Sequence, residues 1–350
     1  MILPDVVYNG VMAVVTGACL WGLNRHRHLR GFLAALSVLL LSGLFFAVLS
    51  GGIFFTARLL SYVVFVHLPV FGLVAATVLR CDHRRIAGVT LIAALTLVAT
   101  GIDAFFIEPH WLDVTTIVLE SSKVDKPLTL LVMADLQTDR VGLYEERVFR
   151  EAMSCGADAI LMAGDYLQMY SESAFEHEKD KLRQILDDVN FHAPLGVYAV
   201  QGNTDYPRWR EIFADHPVHA MSETTVVPTD RFTITGLSMA DSFTTSLSVP
   251  RQVGLHIVLG HSPDFSLGDC AADLIIAGHV HGGQVRLPGL GPLVTLSAVP
   301  RRWAVGANEI RPGTTLAVSR GIGMERGYAP RLRFLCRPEL MIIRVVPSSA

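Results

Sequence analysis

The sequence predicts two successive parts: an N-terminal region of four transmembrane helices, residues 1–107, and an α/β domain of layered β-sheets flanked by helices, residues 114–350. Three observations carry this reading. Four long uncharged apolar runs follow one another at the front of the chain. From Thr116 onward, short apolar strand-like runs alternate with amphipathic stretches at helical spacing. Five of the short runs then end in residues able to bind a metal ion.

The front comes first. The 350 residues are 51% hydrophobic with a mean hydropathy of +0.42, too apolar for an ordinary soluble domain. Residues 6–23, 31–57, 59–79 and 86–102 contain no Asp, Glu, Lys or Arg. About 20 such residues per run span a hydrocarbon core. A cleaved leader is not expected, because no basic residue precedes the first run and three more runs follow it. The first connection holds Arg25, Arg27 and Arg30 and the third holds Arg80, Arg84 and Arg85, against Arg58 alone in the second. The bias of basic residues towards the cytoplasm then places the N-terminus, and everything after about residue 107, on the outer face. His67 is the one histidine inside a run, by itself a weak pathway for a pore. Glu108-Pro-His-Trp111 closes the region, with Trp111 placed as an interfacial anchor.

In the second part, 144–155 and 176–189 carry apolar residues at helical spacing, between strand-like runs. This alternation is the mark of an α/β domain. The runs at 128–134, 159–164, 196–202, 256–260 and 274–278 lead into Asp135-Leu-Gln137, Asp165, Asn203-Thr-Asp205, His261-Ser-Pro and His279-Val-His281. In extended backbone the two histidines of the last segment point the same way. A lone histidine is more often a hydrogen-bonded core residue than a ligand, so the repetition decides. Ligands in open α/β sheets collect beyond the carboxyl ends of the strands, where residues far apart in sequence meet.

These five segments, in this order, resemble the calcineurin-like metallophosphoesterases, whose motifs run DxH, GD, GNH(D/E), GHxx and GHxH. Here they read Asp135-Leu-Gln137, Gly164-Asp165, Gly202-Asn-Thr-Asp205, Gly260-His261-Ser-Pro and Gly278-His279-Val-His281. The resemblance covers residues 128 to 345. Gly282-Gly-Gln284, Ser319-Arg-Gly-Ile-Gly323 and Arg331-Leu-Arg-Phe are similar to the membrane-associated phosphodiesterase branch. The family implies two divalent metal ions sharing Asp165. Asp135, Gln137 and His281 would complete the first shell, and Asn203, His261 and His279 the second. Asp165, Asn203 and His279 are thereby the expected catalytic residues, with hydroxide held at the metal pair as nucleophile. The oxygen and nitrogen ligand set without thiolates suits manganese, iron or zinc in a catalytic pair.

Three positions depart from the family pattern. Gln137 offers a neutral amide oxygen where a histidine is usual, a harder ligand that favours Mn²⁺ over Zn²⁺. Thr204 and Gln168 stand where the family places a general-acid histidine and the aspartate that orients it. General-acid catalysis contributes about 10²- to 10⁴-fold. Its loss points to leaving groups that depart unaided, as in pyrophosphates or activated diesters, or to an acid from His177, His192, His216 or His219. Arg208 and Trp209 read first as a polar helix start, and Arg320 is either a phosphate contact or a solvated side chain.

The residues before Val114 carry 7 arginines and 5 acids, leaving 22 basic and 27 acidic residues for the remainder. No basic surface for nucleic acid follows from that balance. Five cysteines without CxxC spacing indicate neither a disulfide framework nor a zinc knuckle. The expected function is a membrane-anchored phosphoester hydrolase, with lipid-linked substrates within reach of the tether. The alternative is a catalytically weak metal- or phosphate-binding membrane sensor, supported by the missing acid.

Overall fold

Runs of uncharged apolar residues satisfy their backbone groups internally as helices. The computed structural model, which describes residues 3–348, has four helices long and apolar enough to cross a membrane: Leu3–Arg25, Leu29–Leu49, Ile53–Leu79 and Arg84–His110. They form one compact unit, Met1–Ile107 together with Glu325–Arg331. The second turn falls at Ser50-Gly51-Gly52, where two successive glycines adopt φ of 73° and 79°. Only glycine takes that backbone readily. Arg58 therefore lies inside the third helix rather than in the connection where the sequence reading placed it, and it pairs with buried Asp5 at 2.7 Å. The same guanidinium donates to the Gly327 carbonyl at 3.1 Å. Pro69 lacks the N–H that helix continuity needs, and a π-helical turn over Val63–His67 precedes it. Within this turn His67 meets Asn9 and Thr16 at 3.1 and 3.3 Å, so the one histidine within the apolar runs is held in a polar contact.

The other unit is Glu108–Met324 with Leu332–Ala350. Its strands are β1 (Asp113–Ser121), β2 (Leu128–Met133), β3 (Ala159–Met162), β4 (Val197–Val200), β5 (Val218–Met221), β6 (Thr225–Pro228), β7 (Thr233–Gly236), β8 (Ser248–Val249), β9 (His256–Leu259), β10 (Asp269–Cys270), β11 (Leu274–Ala277), β12 (Arg286–Leu287), β13 (Gly291–Pro292), β14 (Gly306–Arg311), β15 (Thr314–Val318) and β16 (Glu339–Pro347). Two six-stranded sheets result, ordered β1-β16-β2-β3-β4-β5 and β14-β15-β11-β9-β7-β6. The expected layered α/β architecture is present.

Alternation along the central strands builds the layers. Leu128, Leu130 and Val132 of β2 turn to the space between the sheets, where they join Ile234, Ile257, Leu259, Leu274 and Ile276. Leu131 and Met133 face the other way, onto Val148, Phe149, Phe175 and Leu182 of the helices Leu143–Ser154 and Glu172–Asp188. Burying one such side chain is worth about 1.5–3 kcal/mol, so a strand with both faces covered is strongly fixed in register. β2, β3 and β4 run parallel, as do β9 and β11. Their carboxyl ends therefore deliver the loops after each sheet to a common edge.

Candidate metal centre

At that edge three of the five ligand-bearing segments turn sharply. Asp135, Gln137, Asp165, His279 and His281 have φ of 51°, 35°, 57°, 69° and 46°. Non-glycine residues pay about 1–2 kcal/mol each for left-handed backbone, and such strain clusters at functional sites where the surroundings over-determine it. The surroundings here are backbone hydrogen bonds between loops. Asp135 N donates to Gly164 O at 3.0 Å, Gln137 N to Asp165 O at 2.7 Å, and Gly278 N to His261 O at 2.8 Å. Ile322 N and Gly323 N reach back to Asp135 O at 3.2 and 2.6 Å.

Buried Asp165 accepts the Thr204 N–H on Oδ1 at 2.8 Å. A Cβ at Gly202 would overlap that same oxygen, so this position has to be glycine. Asp205 turns its carboxylate inward and accepts from Asp165 N at 3.0 Å, Tyr166 N at 2.6 Å and Gly202 N at 2.8 Å. Asp205 thus clamps the Gly164-Asp165 turn to the Gly202-Asn203 turn. Burial pushes the Asp165 carboxyl up to about 6, against the pull of the Thr204 backbone N–H and hydroxyl. Burial and the neighbouring Asp165 likewise push Asp205 up, and its three backbone donors oppose the shift.

Burial pulls the His261 imidazole down to about 4, so the ring is neutral at pH 7. Nδ1 donates to Ala163 O at 2.7 Å, which leaves Nε2 carrying the lone pair. That nitrogen lies 2.8 Å from Asn203 Oδ1 and 3.5 Å from Asp165 Oδ2. Three acceptors thus face one another, an arrangement that a cation among them satisfies. Asp135, Asp165 and His261 each offer one ligand atom within 4.8 Å of the others. The residues fit a divalent metal.

The remaining predicted ligands collect around this cluster. His279 sets its ring 5.0 Å from that of His261 and edge-on to Phe243 at 4.9 Å, while its backbone N–H donates to Asp135 Oδ1 at 2.9 Å. Burial, then the neighbouring His261, lower its imidazole to about 4, and a backbone hydrogen bond to Leu296 opposes this. His281 and Asp135 both pack against Gly321: a Cβ there would lie 2.8 Å from Asp135 Oδ2 and 3.2 Å from His281 Nδ1. Gln137 donates Nε2 to Gln168 Oε1 at 3.1 Å. This bond orients the amide, so its oxygen is the end that can serve as a ligand. Cys336 is adjacent, but its thiol donates to the His281 carbonyl at 3.3 Å.

Other residues singled out in the sequence have partners elsewhere. His216 pairs with Asp187 at 3.1 Å, His177 approaches Glu178 at 3.8 Å, His192 bonds Asn190 O at 2.6 Å and His219 stacks on Tyr198 at 5.0 Å. Arg208 joins Glu172, Glu176 and Glu211 at 2.9, 2.8 and 2.6 Å, and Trp209 is buried against Tyr166. Arg320 is largely buried rather than solvated and pairs with Asp113 and Glu339 at 2.8 and 3.1 Å. Trp111 lies under Arg337 at 3.5 Å, and His110 meets Tyr144 edge-on at 5.3 Å.

Three supporting roles were not anticipated. Asp205 is the clamp described above. Asp264 accepts from the Ser297 hydroxyl and from Ala298 N at 2.8 Å, fixing the loop whose Leu296 carbonyl holds the His279 ring. Arg333 is fully buried and donates to the carbonyls of Arg320, Gly321, Gly323 and Cys336 at 2.5 to 3.1 Å, a cross-brace behind Gly321. Asp264 follows His261-Ser-Pro directly, so its position was visible while its target was not.

No family model matches the chain. Among curated proteins it is 25% identical over 231 residues to a Bacillus subtilis protein named uncharacterized metallophosphoesterase YkoQ, covering 61% of this chain and 82% of that protein. It is 26% identical over 269 residues to B. subtilis YkuE, also named an uncharacterized metallophosphoesterase, covering 68% and 87%. A third relative, the Escherichia coli phosphodiesterase YaeI, is 27% identical over 265 residues, covering 69% of this chain and 91% of its own. The similarity extends well past the five short motifs, and together with their order and the fold it supports a calcineurin-like metallophosphoesterase, a metal-dependent phosphoester hydrolase like the relatives named.

Proposed function

We propose that this chain is a membrane-anchored, two-metal hydrolase of phosphodiester or pyrophosphate bonds in lipid-linked substrates. The observation that carries the reading is the buried meeting of Asp135, Asp165 and His261, with His261 Nε2 set against the Asn203 oxygen. Asp165 would be shared between the two ions. Asp135, Gln137 and His281 would hold one and Asn203, His261 and His279 the other. A divalent pair supplies a hydroxide nucleophile at neutral pH and neutralises charge on the phosphoryl oxygens. Gln137, with its amide nitrogen engaged by Gln168, favours Mn²⁺ at the first position, with Fe or Zn²⁺ as the alternatives.

The chain's own groups set up the rest. The Ala163 carbonyl fixes the His261 tautomer, and the Leu296 carbonyl steadies His279. Phe243 packs against the rings of His279 and His261 and limits water beside them. Where a general acid would be oriented, Gln168 instead bonds Gln137 and Tyr170. The leaving group therefore departs without a proton from this position, which favours anhydrides and aryl or other activated esters. The four apolar helices support anchoring in a membrane. Six arginines lie in the first and third connections or at the helix ends that flank them, against Arg58 alone near the second, and this bias supports a catalytic domain outside the cytoplasm.

The test is Mn²⁺-dependent hydrolysis of bis-p-nitrophenyl phosphate, whose leaving group needs no acid. The full-length protein should turn it over, and Asp165→Asn and His281→Ala should each lose that activity. A wild type that binds metal yet stays inert with Mn²⁺, Fe²⁺ and Zn²⁺ would replace the hydrolase with a membrane sensor.

A further inference from the structure

Beyond the ligands, the carboxyl edge carries a stretch that the chemistry leaves unexplained. Leu290, Leu293, Val294 and Leu296 are 67%, 43%, 44% and 48% exposed, four large apolar side chains within seven residues. Elsewhere in the same unit large exposed apolar residues such as Leu143, Tyr170, Val226 and Val253 stand apart from one another in the sequence. An exposed apolar cluster marks a binding surface more often than chance. This one is physically joined to the centre. The Leu296 carbonyl holds the His279 ring, Asp264 pins Ser297 and Ala298, and a Cβ on Gly283 would run into Pro292 and the Val294 carbonyl. The β12–β13 hairpin then projects Leu290 from a tight Leu287-to-Leu290 turn. Exposed Arg301 and Arg302 follow within a few residues, and Arg286 opens the hairpin. Cations thus flank the apolar stretch.

We infer that Leu290, Leu293, Val294 and Leu296 receive the hydrocarbon chain of an amphiphilic phosphoester while its phosphate lies at the His279 side of the metal centre. This rests on the phosphoesterase reading and deepens it. A lip built from the loop that steadies His279 places the apolar and anionic parts of one molecule side by side. The flanking arginines complement the phosphate rather than the chain. Each methylene buried there strengthens binding about fourfold, so a long chain settling even partly on the lip outweighs a short one by at least tenfold.

The experiment compares ethyl p-nitrophenyl phosphate with hexadecyl p-nitrophenyl phosphate, two diesters with one leaving group, using the full-length protein in lipid nanodiscs. The comparison is repeated with the variant Leu290→Ser, Leu293→Ser, Val294→Thr, which leaves every proposed ligand and the Leu296 carbonyl in place. Partitioning into the nanodisc is common to both proteins, so the difference between them is decisive. The wild type should prefer the hexadecyl diester through KM, and the variant should lose tenfold or more of that preference at unchanged kcat on the ethyl diester. An unchanged preference in the variant overturns the inference. An equal loss on both diesters also overturns it, and would assign the lip to the bilayer surface. A diazirine-bearing hexadecyl phosphate gives a readout without turnover: photolabelling should fall on residues 287–296, and labelling confined to the four helices refutes the lip. Failure to hydrolyse either diester with labelled 287–296 would count against the hydrolase reading alone.

Discussion

Replacing Asp205 by alanine removes the acceptor of three backbone donors at once, Asp165 N, Tyr166 N and Gly202 N, at 3.0, 2.6 and 2.8 Å. All three donors belong to buried residues. An orphaned buried donor costs about 1–3 kcal/mol. Asp205 is itself part-exposed, so water entering the vacated space recovers some of this, and the low end of the sum, about 3 kcal/mol, is the expected local cost. That corresponds to about a 150-fold rise in the opening equilibrium of the two turns. Native-state hydrogen exchange on the full-length protein reads the effect directly: the amides of Asp165, Tyr166 and Gly202 should lose protection by two orders of magnitude, while those of β2 and β11 hold theirs. Metal affinity should fall in parallel, because Asp165 is no longer presented. Protection within threefold of wild type at all three amides would refute the clamp.

The metal-free Asp165 carboxyl, raised to about 6, must be deprotonated to ligate. Mn²⁺ affinity measured calorimetrically should therefore be flat above pH 6 and fall about tenfold per unit below it; His261 and His279, lowered to about 4, add a further slope only near that pH. Affinity constant down to pH 5 would contradict this. Asp264→Ala frees the Ser297–Ala298 loop and with it the Leu296 carbonyl. Second-layer contacts of this kind are worth about 10- to 100-fold, so metal affinity or turnover should drop by that order with the fold intact, and wild-type values would show that His279 holds its position alone. Gly202→Ala drives a methyl group into Asp165 Oδ1; the purified protein should bind less metal, and full metal loading would disprove the packing argument.

Much of this architecture is legible in the chain because its determinants are local. A strand buried on both faces is expected to be nearly all apolar, and β2, β3, β4, β9 and β11 are, with Thr129 in β2 and His256 at the start of β9 as the polar exceptions. Their ends could be read from the glycine, aspartate, asparagine and histidine residues that follow. Ser50-Gly51-Gly52 was equally visible, yet an unbroken apolar run masked the turn, and Arg58 was placed in a connection it does not occupy. What the sequence hides is partnership at long range. β16 enters from the far C-terminal side to lie between β1 and β2, antiparallel to β2. Arg320 looks like any loop arginine until Asp113 and Glu339 are brought to it. Asp205 and Asp264 read as motif neighbours, and only the fold shows which backbone groups they hold.

The central claim is a pair of divalent ions sharing Asp165. Its most direct test is electron paramagnetic resonance of the full-length protein loaded with two equivalents of Mn²⁺. The account predicts an exchange-coupled dinuclear signal in the wild type and its collapse to isolated Mn²⁺ in Asp165→Asn. Two uncoupled ions in the wild type, or coupling that survives Asp165→Asn, would contradict it.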